Sequence, residues 1–144
     1  MLSVGSIVKL KNLCFDNRQA DHAFKVGRPC VFIGEDENNM YFLPLTSNHH
    51  EVDKIEPDKY NDLKKPSSIN IRQLIIKPIA YYNERGVVAE KHIIRAFEDI
   101  KKYYGIRPCK DADILLPIAD KYLKEHQRIV YKDADKKEKK IINQ

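Results

Sequence analysis

Apolar residues alternate with lysines near the start of the chain. Ile7-Val8 and Leu10 interleave with Lys9 and Lys11, which predicts a strand over 4–12. Residues 13–27 have no period and contain Asp16, Asn17, Asp21, His22, Lys25 and Gly27, as expected of a loop. Two apolar runs follow, Pro29-Cys30-Val31-Phe32-Ile33 and Met40-Tyr41-Phe42-Leu43-Pro44-Leu45, and predict strands over 29–35 and 39–46. The link between them, Glu35-Asp36-Glu37-Asn38-Asn39, is short and turn-forming, so the two strands are expected to be antiparallel neighbours. Residues 47–68 are polar, with Pro57, Pro66 and Ser67-Ser68, and read as a long irregular link of the kind that often carries function. Ser68 to Ile79 reads as one long strand broken by Pro78, and Tyr81 to Gly86 as a turn or a short strand.

After Val88 the period changes. Ile93, Ile94, Phe97, Ile100, Tyr103 and Tyr104 follow helical spacing and Gly105 supplies a stop, which predicts a helix over 89–104. A second helix is expected over 112–128, with its start left open because Pro117 is tolerated only in a first turn. The tail from Lys132 to Lys140 is highly charged and is expected to be frayed or disordered. Early strands followed by helices imply an α+β class, with a small curled antiparallel sheet or partial barrel. We read 1–144 as a single domain, with a barrel core at about 1–82, a helical part at about 88–130 and a charged tail at 131–144.

Composition changes this picture little. At 144 residues the chain can bury roughly 70% of its unfolded surface without covalent staples. Lys and Arg total 26 against 21 Asp and Glu, a surplus that permits a polyanionic partner. Cys14, Cys30 and Cys109 form no CxxC pair, which argues against a disulfide framework or a zinc site. Cys30, inside an apolar run, reads as a core thiol, and a reduced, cytoplasmic setting is the expectation. No apolar run approaches the ~20 residues of a membrane span, and no signal peptide is expected.

The candidate chemistry is narrowed by what is missing. There is no P-loop, GxGxxG, GxSxG or HExxH, so nucleotide, esterase and zincin readings are weak, and no cofactor is implied. None of His22, His49, His50, His92 and His126 has metal-ligand spacing, so no metal site is expected. His49-His50 reads as an exposed polar loop, and His92 and His126 as solvated helix positions. If the two apolar strands pair antiparallel, Arg28 at the start of one lies beside Thr46 and Ser47 at the end of the other. A guanidinium beside hydroxyls suits a phosphate. Taken singly, Arg28 is also a common strand-entry cation and Thr46-Ser47 a common strand-end cap. His22, in the loop that enters the second strand, would add an acid–base group.

Gly27-Arg28-Pro29 before an apolar strand, with Leu43-Pro44-Leu45-Thr46-Ser47 after it, resembles the MazF/PemK/Kid toxins of toxin–antitoxin modules. Val4-Gly5-Ser6-Ile7-Val8 is similar to the family's opening strand, Ser68-Ile69-Asn70-Ile71-Arg72-Gln73-Leu74 to a later one, and Gly86-Val87-Val88 to the entry of its C-terminal helix. The resemblance covers roughly 4–104. It implies an SH3-like barrel, a homodimer with a cognate antitoxin, and a metal-independent RNase that cuts single-stranded RNA by 2′-hydroxyl attack. On that reading Arg28, Thr46, Ser47 and His22 are the catalytic candidates. Lys25 is a phosphate-positioning candidate, and Tyr41, Tyr81 and Tyr82 are candidates for stacking RNA bases. The chain departs from the family in its last forty residues, in its long link at 47–68, and in having Ile75-Ile76-Lys77-Pro78 where an Arg-x-x-x-Asp segment is usual. Type III toxins, which are inhibited by an RNA, share the barrel and a similar strand end. A non-enzymatic nucleic-acid- or protein-binding module on the same barrel is the third reading.

Overall fold

The alternating and apolar runs form the centre of a curled antiparallel sheet. The computed structural model describes residues 1–11, 27–47 and 53–142, with side chains to 126. In chain order the strands are β1 (Ser6–Leu10), β2 (Arg28–Glu35), β3 (Asn39–Thr46), β4 (Ser68–Ile69), β5 (Ile75–Pro78) and β6 (Gly86–Val87). Two helices follow, α1 (Glu90–Tyr104) and α2 (Lys110–Ile142). The sheet order is β4-β3-β2-β1-β6, and β5 also pairs with β3. This is the expected α+β class, a half-barrel with helices after it in the chain.

Sequence pattern explains most of the pairing. Val8 lies opposite Cys30 and Cys30 opposite Pro44, while Ile7, Val31 and Leu43 form the neighbouring row. Successive residues point to opposite faces of a strand. One face therefore carries Val8, Leu10, Cys30, Phe32, Met40, Phe42 and Ile75, packed into one cluster with Tyr82. Phe42 is its centre and meets both Phe32 and Tyr82 edge-on, at ring-centre separations of 5.7 and 5.5 Å. The other face is buried as well at Ile7, Val31, Ile33, Leu43 and Leu45. A strand buried on both sides reads as a continuous apolar run, which is how β2 and β3 appear in the sequence. The register of β2 on β3 shifts between Phe32 and Gly34, a bulge that bends the hairpin.

The expected long strand over 68–79 is corrected to two short ones. β4 pairs with the end of β3 at Leu45 and Thr46, and β5 with its beginning, from Asn39 to Phe42. Between them Asn70 diverts the chain: its Oδ1 accepts from the Arg72 amide at 3.0 Å and its Nδ2 donates to Gln73 Oε1 at 3.0 Å. Such a side-chain turn competes with the strand ladder.

The chain divides into two compact units, Met1–Ala96 and Phe97–Gln144. α1 begins in the first, where Ile93 is buried, and stops before Gly105, whose amide donates to the Lys101 carbonyl at 3.0 Å. In the second unit Phe97 packs on Tyr122 at 4.9 Å, and Lys101 pairs with Asp120 at 3.0 Å. α2 starts at Lys110, with Cys109 Sγ accepting from the Ala112 amide at 3.4 Å. One open point closes there and one expectation changes. Pro117 lies inside the helix, not in its first turn, and the helix runs on through the tail to Ile142. Leu115 and Ala119, both fully buried on either side of the exposed Pro117, hold the helix across the missing amide. The tail's lysines, glutamate and alanine are good helix formers despite their charge. No helix among the described residues is long and apolar enough to cross a membrane.

Candidate functional site

Carrying the β2–β3 register two residues beyond Cys30–Pro44 sets Arg28 opposite Thr46. Thr46 in turn pairs with Ser68, and Arg28 with Leu10. Beside this end of the sheet is a cleft of about 440 Å³, and Arg28, Thr46 and Ser47 all line it. Ile7, Lys9, Pro29 and Leu45 share one sheet face and form its floor. Arg28 and Thr46 fall on the alternate face by strand alternation and border the cleft from the strand ends. Consistent with that face, the Arg28 charge acts on the buried Cys30 thiol. Burial pushes the Cys30 pKa up to about 12, and Arg28 and then Lys77 pull against it. Cys30 is thus the core thiol its apolar setting predicts.

The opposite wall is the segment 53–67, and its local sequence explains how it is held. Asn61 is buried, and its Oδ1 accepts from the amides of Asp58 and Leu63, each at 3.1 Å. Its Nδ2 donates to the Glu56 carbonyl at 2.8 Å, and Asp58 Oδ1 accepts from the Tyr60 and Asn61 amides. The loop is thereby wound around one amide side chain. It is then fastened to the sheet. The Val87 amide donates to the Tyr60 carbonyl at 2.9 Å, and a Cβ at Gly86 would stand 2.6 Å from that same oxygen. Only glycine permits this approach. Ile55 and Ser67 exchange backbone hydrogen bonds, and the Ser68 hydroxyl donates to the Asp53 carbonyl at 2.8 Å.

Fixed in this way, the wall presents Asp62, Lys64, Lys65 and Ser67 to the cleft, and Arg85 joins them from before β6. The Arg85 amide donates to the Ile7 carbonyl at 2.7 Å, and neighbouring Glu84 accepts from the buried Ser6 hydroxyl at 2.5 Å. The described lining therefore holds five cations (Lys9, Arg28, Lys64, Lys65 and Arg85) against one carboxylate, Asp62. Converging cations in a concavity focus a positive potential on whatever enters. Three hydroxyls, on Thr46, Ser47 and Ser67, add neutral donors. The chemistry on offer is anion binding with hydrogen bonding, at the scale of a nucleotide.

Among the described residues, the structure brings together three of those singled out from sequence, Arg28, Thr46 and Ser47, and leaves the three tyrosines out of the cleft lining. His22 and Lys25 lie outside the described residues, as do Cys14, His49 and His50. Tyr41 sits toward the far end of β3, 7% exposed, with its hydroxyl donating to Asp36. Tyr82 is packed on Phe42, and its burial raises its pKa. Tyr81 is 85% exposed but does not line the cleft. His92 is not solvated as expected, and His126 is half-exposed. His92 Nδ1 meets Asp53 Oδ2 at 2.9 Å with 11% of the side chain exposed, and His126 stacks on Tyr122 at 3.8 Å. Lys9, Asp62, Lys64, Lys65 and Arg85 were not anticipated. For Asp62, Lys64 and Lys65 the one sequence signal is the Asn-Asp and Lys-Lys-Pro punctuation of the long link, which marks a turn without saying what it faces. Among the described residues no three His, Cys, Asp or Glu side chains gather to hold a metal ion. No family model matches this chain, and no curated protein and no solved structure matches it either.

Proposed function

We propose that the chain is a metal-independent endoribonuclease of the MazF/PemK/Kid kind, the toxin of a toxin–antitoxin module. On this reading it cuts single-stranded RNA at the cleft beside Arg28. The observation that carries the reading is the convergence of Arg28, Thr46 and Ser47 with Lys9, Lys64, Lys65 and Arg85 on one cleft. RNA contains its own nucleophile. The 2′-hydroxyl attacks the adjacent phosphorus, leaving a 2′,3′-cyclic phosphate and a 5′-hydroxyl. The protein has to hold the phosphate in line and neutralise the charge that develops on its oxygens. Arg28 supplies a rigid fork of donors for those oxygens. Thr46 and Ser47 hold a phosphate oxygen or orient the 2′-hydroxyl. The lysines of the wall take neighbouring phosphates along the strand.

The aromatic for base stacking is reassigned in this proposal. Tyr41 and Tyr82 are occupied by packing, whereas Tyr60 is 61% exposed on the loop that carries Asp62. Neither Tyr60 nor Tyr81 lines the cleft itself, and Tyr60, on the loop that forms its wall, is the stacking platform we assign. A homodimer and a cognate protein antitoxin belong to the same proposal through the sequence resemblance, and a cytoplasmic setting through the cysteine pattern.

The test is incubation of the protein with labelled single-stranded RNA and DNA in excess EDTA. RNA cut to products with free 5′-hydroxyl ends, with DNA spared, is the expected result. RNA retained uncut would favour a binding module on the same cleft, and dependence on magnesium would overturn the mechanism.

A further inference from the structure

Cleavage by 2′-hydroxyl attack needs a group to take the 2′ proton, and the cations and hydroxyls assigned above are poor acceptors at neutral pH. Of the side chains that line the described cleft, only the Asp62 carboxylate is of a type that accepts a proton there. We propose that Asp62 is the general base of this cleft, an inference that rests on the endoribonuclease reading.

Two further observations support it. Asp62 is held at a φ of 54°, the only non-glycine residue at positive φ among those described. This is the left-handed region, uncommon outside glycine and most accessible to Asn and Asp, and residues held there cluster at functional sites. The conformation is imposed from both sides, by the buried Asn61 amide and by the Leu63 amide that donates to it. The carboxylate also shares its cleft with cations: Lys64 and Lys65 follow it in sequence, and Lys9 and Arg85 line the same space. A phosphate drawn to those cations arrives beside the one proton acceptor.

The step balances without any outside reagent. Asp62 takes the proton from the 2′-hydroxyl as the O2′–P bond forms. The P–O5′ bond breaks, and the leaving 5′-oxygen takes a proton from one of the cleft's ammonium groups. Solvent then returns Asp62 and that lysine to their starting states. One negative charge stays on the cyclic phosphate throughout.

Asp62→Asn is the informative variant, because asparagine tolerates the same backbone conformation and keeps the same shape. The expected result is a loss of about 10²–10⁴ in cleavage rate, the usual worth of a general base. The acid limb of the pH–rate profile should vanish with it. Affinity for a 2′-O-methyl RNA, which binds but lacks the nucleophile, should stay within about threefold of wild type, since a group acting only on the reacting proton does not contribute to ground-state binding. A substrate with sulfur in place of the leaving 5′-oxygen needs no proton on departure, so it should not rescue the variant. Three results would overturn the assignment while leaving the endoribonuclease reading standing: near-wild-type cleavage by Asp62→Asn, rescue by the sulfur substrate, or a loss of RNA affinity as large as the loss of rate. A wild-type protein that binds RNA without cutting it would instead overturn the reading beneath the inference.

Discussion

At the turn end of the β2–β3 hairpin, Asp36 accepts from the amides of Asn38 and Asn39 at 2.9 and 2.8 Å and from the Tyr41 hydroxyl. At the open end of the same two strands, Arg28, Thr46 and Ser47 stand beside a cleft that holds four more cations. Both ends are polar, and both follow the same apolar runs. They differ in where their polar groups are directed. The turn end is acidic, and its carboxylate is consumed by the turn it closes. The open end is basic, and two of its five cations are supplied by a second segment, 53–67, fastened across it. Charge at the end of a strand thus says little until the structure shows whether it closes on itself or converges on a space.

The comparison is most sharply broken by Arg28→Ala. Arg28 lies at a strand end, half-buried, outside the apolar cluster, so its loss leaves no core cavity. We expect cleavage to fall by about 10²–10³, the usual cost of one preorganised charge donor, with an unchanged thermal midpoint. Asp36→Asn, at the other end of the same strand pair, should cleave like wild type. Equal losses in the two variants would show that the ends do not differ in function.

Gly86→Ala separates the cleft's wall from its floor. The new methyl would stand 2.6 Å from the Tyr60 carbonyl, so the loop must move or the strand must yield. A cost of about 1–3 kcal/mol in stability is expected from such overpacking, together with weaker RNA binding. Chemical denaturation and a binding titration on the same preparation check this. A variant as stable as wild type would show that the loop is not fastened at Gly86.

Lys64→Ala with Lys65→Ala addresses the wall's charge alone. The dependence of log affinity for single-stranded RNA on log salt should become shallower by about 0.7 for each phosphate contact removed. An unchanged slope would place the RNA elsewhere.

The smallest effect belongs to the turn end. Hydrogen bonds from Tyr41, and then from the Asn38 and Asn39 amides, hold the Asp36 carboxyl below its usual pKa. A carboxyl depressed in the folded state adds stability above its unfolded pKa and loses it as pH falls through the folded value. The thermal midpoint should therefore drop below about pH 4, where free aspartate begins to protonate, and Asp36→Asn should flatten that limb. The Tyr41 hydroxyl is shifted upward by the same bond. Because Asp36 is exposed, the effect should be slight.

Much of the first unit was legible in the sequence. β2 and β3 carry uninterrupted apolar runs because both of their faces are buried, and Lys9 interrupts β1 where it meets the cleft. The juxtaposition of Arg28 with Thr46 and Ser47 followed from those runs and a short turn. The division of 68–79 did not, because the turn at Asn70 uses side-chain hydrogen bonds that leave no trace in hydrophobic periodicity. The wall of the cleft was also hidden. Its shape depends on one buried amide, Asn61, and on the close approach of Gly86, two positions far apart in sequence with no shared pattern. Asp62 was invisible for the same reason, since its place beside Lys9 and Arg85 is a property of the folded loop. In α2, Pro117 left the start open in the sequence, and the structure carries the helix across it because flanking buried residues outweigh a local preference.

The most direct measurement is an NMR titration of the labelled protein with a short 2′-O-methyl RNA, which can bind without being cut. Our account predicts that amide shifts concentrate at Lys9, Arg28, Thr46, Ser47, Asp62, Lys64, Lys65 and Arg85 and leave Asp36 to Asn39 unmoved. Shifts centred on the β2–β3 turn, or spread over the surface with none at the cleft, would contradict it.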